Sequence, residues 1–278
     1  MRPSEVIRRS TDYLERHGVE SPRENAEAIL AQCLGTDRAG LYARREGLDQ
    51  TTARRFGRAL CRRCSGTPLQ YITGEQQFLD LRLTVGRGVF IPRPETEGLV
   101  LAALETLEGV PDPVAVDVGT GSGAIALFLK HRRRDAQVFA TDTSAEAVDL
   151  ARSNARRLGL DVDVRVGNIL DPIPKALRGR VSLLVSNPPY LAAGEYDSLP
   201  PEVRAEPYEA LVGGTGVHRS LVLAASEWLA PSGWLVVEIG ETQGREVSGA
   251  FRRASLQDVE VLPDLASRDR VVRGRLPG

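Results

Sequence analysis

From Val114 onward, apolar runs of strand length alternate with segments of helical periodicity, and this alternation limits the fold more than any other feature of the chain. Strands are expected over residues 114–118, 137–141, 162–166 and 181–186, with helices over 124–130 and 145–158 between the first three. A helix near 218–229, a strand over 234–239, a helix ending at Arg253 and two strands over 259–262 and 270–275 complete the series. Consecutive strands linked by helices lie parallel, so the pattern predicts an α/β fold on a seven-stranded, doubly wound, Rossmann-like sheet. The final two strands have too short a link for a helical crossover and are expected to pair antiparallel.

Each early strand stops at polar or glycine-rich sequence. The first runs into Gly119-Thr120-Gly121-Ser122-Gly123, the second ends at Asp142, and the central one ends at Asn187-Pro188-Pro189-Tyr190. Such stops fall on the carboxyl edge of a parallel sheet, where open α/β folds bind ligands. The glycine loop followed by Asp142 suits any nucleoside-bearing cofactor, because glycine lets the backbone approach closely and a carboxylate accepts from ribose hydroxyls. Asp117 separates the classes. An acid two residues before the first glycine is unfavourable beside a pyrophosphate and favourable beside a cation. S-adenosylmethionine carries a sulfonium and an ammonium and no phosphate.

Asn187 to Tyr190 suggests what is done with that cofactor. An amide or aromatic amino nitrogen is planar, and its lone pair is delocalised. Acceptors fixed on both its N–H bonds favour a pyramidal nitrogen with a localised pair. The Asn187 side-chain carbonyl is one such acceptor; the other is the Pro188 backbone carbonyl, restrained by the proline that follows. Tyr190 adds a flat face. A surface turn uses the same residues for their geometry alone, so the neighbouring strand ends decide between the two readings.

The first third reads as a small all-α bundle: helices over residues 4–16, from a Ser21-Pro22-Arg23-Glu24 capping box to Gly35, over 37–44 and over 50–64. Residues 1–72 hold 13 Arg and 9 acids, whereas the whole chain carries a net charge of −1. No catalytic constellation falls in this bundle, which is expected to serve recognition. The connector, residues 73–95, is expected to form a β-hairpin from 79–85 and 89–91 around Gly86 and Gly88. Residues 96–278 then form the catalytic domain. Cys33, Cys61 and Cys64 are an odd count, and Cys61 and Cys64 have no second ligand pair, so no metal is expected. With no signal-peptide pattern and no apolar run of membrane-spanning length, a cytoplasmic chain is expected.

The chain resembles the protein-(glutamine-N5) methyltransferases of the HemK/PrmC type that modify peptide-chain release factors. The resemblance rests on Pro68-Leu-Gln-Tyr-Ile-Thr-Gly-Glu75 with Phe78, Phe90-Ile-Pro-Arg-Pro-Glu-Thr-Glu97, Asp117-Val-Gly-Thr-Gly-Ser-Gly123, Asn187-Pro-Pro-Tyr190, Arg204 with Glu206-Pro207, and Asp269-Arg-Val-Val272. It implies that the acceptor is the glutamine side chain of a Gly-Gly-Gln loop in class I release factors. Phe90 and Thr96 would enclose the cofactor, Gly119 to Gly123 cradle its methionine part, and Asp142 hold its ribose. Family members often have an acid and then a bulky residue where this chain has Asn168-Ile169; Asn168 can still bond an adenine edge and Ile169 pack on its face.

The alternative is an adenine or cytosine exocyclic-amine methyltransferase acting on flipped-out bases of DNA or RNA. Against it stand the near-neutral charge and the lack of a strongly basic stretch, so no direct nucleic-acid contact is expected. A cofactor-sensing module without catalysis would need the glycine loop but not Asn187 to Tyr190. A monomer is expected. His17, His131 and His218 are expected in helices away from the motif, as surface or packing residues.

Overall fold

The computed structural model describes residues 1–278 and divides into two compact units: residues 1–75 with 199–205, and residues 76–198 with 206–278. No helix is long and apolar enough to cross a membrane.

The first unit contains α1 (Pro3–Arg16), α2 (Pro22–Leu34), α3 (Arg38–Ala43), α4 (Gln50–Cys64) and α5 (Leu69–Thr73). Their inner faces bury Ile7, Leu14, Ile29, Leu30, Leu41, Phe56 and Leu60 in one core. The capping box expected at Ser21 does not form. Ser21 takes a left-handed φ of 46° and its side chain makes no cap bond. Asn25 instead donates to the Ser21 and Glu20 carbonyls and accepts from Arg63 Nε at 2.7 Å. The stretch 199–205, far along the chain, also belongs to this unit, where Glu202 pairs with Arg63 at 2.6 Å.

The hairpin lies earlier than the glycine pattern suggests. Strands β1 (Glu75–Phe78) and β2 (Leu81–Thr84) form the two-stranded sheet, and Leu79 adopts φ 49° in the turn between them. Glycines normally mark such turns, and here a leucine takes the strained conformation. Residues 89–91 are not a strand; a hydrogen bond from Val89 N to the Gly86 carbonyl closes the turn before them.

In the second unit α6 (Pro94–Glu105) leads to β3 (Val114–Val118), α7 (Ala124–Arg132), β4 (Gln137–Asp142), α8 (Ala145–Leu158), β5 (Asp163–Val166) and β6 (Val181–Ser186). Two short helices follow, α9 (Pro201–Arg204), which belongs to the first unit, and α10 (Tyr208–Leu211); then come α11 (Gly216–Trp228), β7 (Leu229–Glu238), α12 (Gly244–Arg253), β8 (Gln257–Pro263) and β9 (Asp269–Arg275). The seven-stranded sheet has the order β5-β4-β3-β6-β7-β9-β8, parallel from β5 to β7, with β9 antiparallel to both neighbours. Helices α6, α7 and α8 cover one face, and α11 and α12 the other. This double covering explains why β6 reads Val-Ser-Leu-Leu-Val-Ser, without the alternation of a half-exposed strand.

Candidate active site

From β3 the chain winds outward through β4 and β5, then returns to place β6 on the other side of β3. The reversal opens a crevice at the carboxyl ends of β3 and β6, where doubly wound sheets bind ligands. Val118 is level with Ser186 in the ladder, so Gly119 and Asn187 leave neighbouring strands together. A Cβ built on Gly119 would lie 3.9 Å from the Asn187 carbonyl oxygen.

All three loop glycines have positive φ: 75° at Gly119, 57° at Gly121 and 89° at Gly123. Their surroundings differ. A Cβ on Gly123 would come within 2.9 Å of Leu127 and 3.2 Å of Ala151, whereas one on Gly121 would meet nothing within 4 Å. Gly123 therefore serves loop-to-helix packing, and Gly121 borders open space. Thr120 turns its hydroxyl inward onto Asp117 Oδ2 at 2.6 Å, and Ser122 is buried.

Asp117 is fully buried behind the loop. Its Oδ2 also accepts the Ala126 N–H at 3.2 Å, while Oδ1 has no partner. Burial raises its pKa to about 7 against these two donors. Asp142, by contrast, is half-buried at the edge; its Oδ2 accepts from Gly121 N and its Oδ1 from Ser144 N, each at 2.9 Å. A carboxylate offers about four lone-pair sites, so two remain for hydroxyl donors. Asn168 is exposed in the turn after β5. Ile169 there takes φ 48°, strained for a β-branched side chain, and its carbonyl accepts from Thr141 Oγ1 at 2.7 Å.

The Asn187 Nδ2 donates to Thr96 Oγ1 at 2.9 Å, across 91 residues of chain. Neither Asn187 Oδ1 nor the Pro188 carbonyl accepts a hydrogen bond from the rest of the chain. Asn187 is half-buried and Pro188 buried, so the acceptor pair sits on a fixed base. Pro189 presses on Gly213, where a Cβ would come within 2.6 Å of its carbonyl. Tyr190 is held at both ends: its hydroxyl donates to Glu238 Oε1 at 3.3 Å, and its carbonyl accepts from Gln243 Nε2 at 2.8 Å. Burial, with the nearby Glu238, pushes its phenol pKa up, so the ring stays neutral. Thr96, at 3% exposure, stands behind Asn187. Phe90 is half-buried with the Arg93 guanidinium 5.1 Å above its ring.

The sequence reading missed several residues. Glu238 is a buried acid at the end of β7 whose pKa burial raises to about 7, against the lowering effect of Thr96, Arg270 and Tyr190. Its signal was there to read: an acid closing an apolar strand, as at Asp117. Asn154, fully buried, bonds both backbone groups of Thr84 and the Ser122 carbonyl. Glu206, named above only as part of a motif, fixes Ile91 and Arg93. His218 is also nearer than expected: it is buried, and its Nε2 lies 2.7 Å from the Glu238 carbonyl oxygen. Burial lowers its pKa, which leaves a neutral packing residue.

The glycine loop, Asp142 and the unengaged oxygens of Asn187 and Pro188 meet at one edge of a doubly wound sheet, an arrangement that fits a methyltransferase. Residues 95–200 match the methyltransferase small domain family, and residues 5–74 match the PrmC N-terminal domain family. The chain is 43% identical over 274 residues to the release factor glutamine methyltransferase of Moorella thermoacetica, covering 96% of this chain and 94% of that one. Identity to the protein of the same name from Deinococcus radiodurans is 40% over 282 residues, with both chains covered in full. The chain belongs to the release factor glutamine methyltransferase family. Among solved structures, the catalytic domain of hMettl16 with an RNA hairpin has the same fold at TM-score 0.55 and 13% identity, over 82% of each chain. The T. thermophilus 16S rRNA N2 G1207 methyltransferase also shares it, at TM-score 0.53 and 19% identity, over 73% of this chain and 49% of that one.

Proposed function

We propose that the protein methylates the side-chain amide nitrogen of the glutamine in the Gly-Gly-Gln loop of class I peptide-chain release factors, using S-adenosylmethionine. The observation that carries the chemistry is the pair of unengaged, anchored oxygens, Asn187 Oδ1 and the Pro188 carbonyl, beside the glycine loop. The family carries the choice of acceptor.

The residues fit this cofactor. Open space in front of Gly121, spare lone pairs on Asp142 and a buried acid behind the loop suit a nucleoside joined to a cationic chain. In our reading Gly119 to Gly123 receive the methionine part, Asp142 the ribose, Asn168 and Ile169 the adenine, and Phe90 closes the side. S-adenosylmethionine supplies an electrophilic methyl on a sulfonium sulfur. Asn187 Oδ1 and the Pro188 carbonyl each accept one N–H of the glutamine amide, so the nitrogen turns its lone pair toward the methyl. Tyr190 offers its ring to the flat amide. Holding the reactants aligned is the larger contribution and polarisation by the two oxygens the second. The nitrogen becomes acidic once methylated and then releases its proton, so no strong base is required.

The helical unit, in this reading, docks the body of the release factor. We also take the protein to act as a cytoplasmic monomer without direct nucleic-acid contact, in keeping with its net charge of −1. The test is mass spectrometry of a class I release factor incubated with the protein and cofactor, with DNA and RNA as parallel acceptors. One methyl on the loop glutamine and none on nucleic acid is expected; the reverse would overturn the reading.

A further inference from the structure

Asn187 is useful only in one of its two amide orientations. With Nδ2 toward Thr96, Oδ1 is left for the acceptor; with the amide reversed, an NH2 group faces a substrate that is itself a donor. A threonine hydroxyl does not choose between them, since it both donates and accepts. The choice must come from what Thr96 itself faces.

Behind Thr96 lies Glu238, buried at the end of β7, whose strand is level with β6 so that Ser186 faces Val237. Its Oε1 accepts from the Tyr190 hydroxyl at 3.3 Å, and its Oε2 is buried with no close partner of its own. No hydrogen bond joins Thr96 or Arg270 to the unpartnered Glu238 oxygen, yet both lower the Glu238 pKa against its burial, which puts the Thr96 hydroxyl and the Arg270 guanidinium beside that carboxyl. Arg270 bonds the Ile239 carbonyl at 3.3 Å and pairs with Asp264, while its buried Nε is also unpaired. Once ionised, above its pKa of about 7, the Glu238 carboxylate only accepts. A hydroxyl held by it has spent its proton and must accept from its other neighbour, here the Asn187 amide.

We propose that Glu238 is a positioning residue for methyl transfer: by taking the Thr96 hydroxyl proton it fixes the Asn187 amide with Oδ1 toward the substrate. The same carboxylate tethers Tyr190, so one buried acid sets two members of the motif, and Arg270 balances its charge. This gives the terminal Asp269-Arg-Val-Val272 segment a part in the site through Arg270. The inference rests on the reading of Asn187 Oδ1 as an acceptor.

The test compares kcat and cofactor Kd at about pH 8.5, where Glu238 is ionised, for Glu238→Gln, Thr96→Val, Thr96→Ser, the Glu238→Gln/Thr96→Val double variant and Asn187→Ala, with release factor as acceptor. In Glu238→Gln the new side-chain amide can donate to Thr96 and release its hydroxyl to the Asn187 oxygen. This variant is therefore expected to lower kcat by about tenfold or more with cofactor Kd within about twofold. Thr96→Ser, which keeps the hydroxyl, is expected to exceed Thr96→Val in kcat by about tenfold. Once Thr96 has no hydroxyl, Glu238 keeps only its hold on Tyr190, so adding Glu238→Gln to Thr96→Val should cost much less than Glu238→Gln costs the parent. Additive losses, or a Glu238→Gln enzyme of full kcat beside an inactive Asn187→Ala, would overturn the proposal and leave the function standing. Full turnover by Asn187→Ala would overturn the acceptor reading itself. If Glu238→Gln does not fold, Thr96 decides: equal kcat for Thr96→Ser and Thr96→Val would refute the orientation.

Discussion

Glu206 accepts the backbone N–H of Ile91 at 2.9 Å, across 115 residues of chain. The same side chain pairs with Arg93, whose guanidinium covers the Phe90 ring. One buried acid thus holds the segment after Asn187-Pro-Pro-Tyr190 against the Phe90–Pro94 loop. Glu206→Ala strips a buried N–H of its partner, so we expect a loss of about 2 kcal/mol in urea unfolding and a several-fold weaker cofactor Kd by calorimetry. Unchanged values in both would show that the clamp has no part in the site.

Asn154 makes a comparable link on the other side. Its Oδ1 accepts from Thr84 N at 2.8 Å, and its Nδ2 donates to the Thr84 and Ser122 carbonyls at 2.9 Å, which joins the hairpin to the glycine loop. Asn154→Ala should cost about 2–3 kcal/mol of stability, because the buried partners lose their hydrogen bonds together. Hydrogen exchange should also rise at residues 119–123. Exchange there at the parent rate would argue that the loop is held without it.

The glycines should separate by phenotype. Gly121→Ala and Gly123→Ala both place an L-residue at positive φ, a strain of about 1–2 kcal/mol. Only Gly123→Ala also drives a methyl within 2.9 Å of Leu127. It should unfold at the lower temperature, whereas Gly121→Ala, whose methyl enters open space, should lose more cofactor affinity than stability. The opposite ranking in a thermal melt and a titration would misassign the cradle.

Asp117 and Glu238 give stability a pH dependence of known sign. Burial raises both pKa values to about 7, from ordinary values of 3.8 and 4.5. Between those limits the folded state holds protons that the unfolded chain has released, so stability is full at about pH 4 and falls as pH rises through 7. The change is on the order of several kcal/mol for the pair. The cofactor-free protein should melt at a lower temperature at pH 8 than at pH 5, and Asp117→Asn should flatten the curve. A melting temperature that climbs across this interval would contradict the assignment.

Much of this was legible in the residues. Parallel strands buried on both faces announce themselves as apolar runs, and helices such as α8 carry caps and periodicity within their own sequence. Asn187, Asp142 and the glycine loop stood out because polar residues at strand ends have few structural uses. Pairings set by tertiary geometry were hidden. The turn at Leu79 takes a conformation that its residue type disfavours, and Ser21 loses its expected cap because Asn25 and Arg63 converge there. Thr96, Glu238 and Arg270 lie on three separate elements, and no local pattern reveals that they meet behind one asparagine.

Methyl transfer depends most on the Asn187 carbonyl as the oxygen that makes a planar amide reactive. The direct measurement is kcat for methylation of release factor by Asn187→Ala at saturating cofactor, read by mass spectrometry of the loop glutamine, alongside cofactor Kd. We expect kcat to fall by at least about 100-fold with Kd changed by no more than about threefold. Turnover at the parent rate would contradict it.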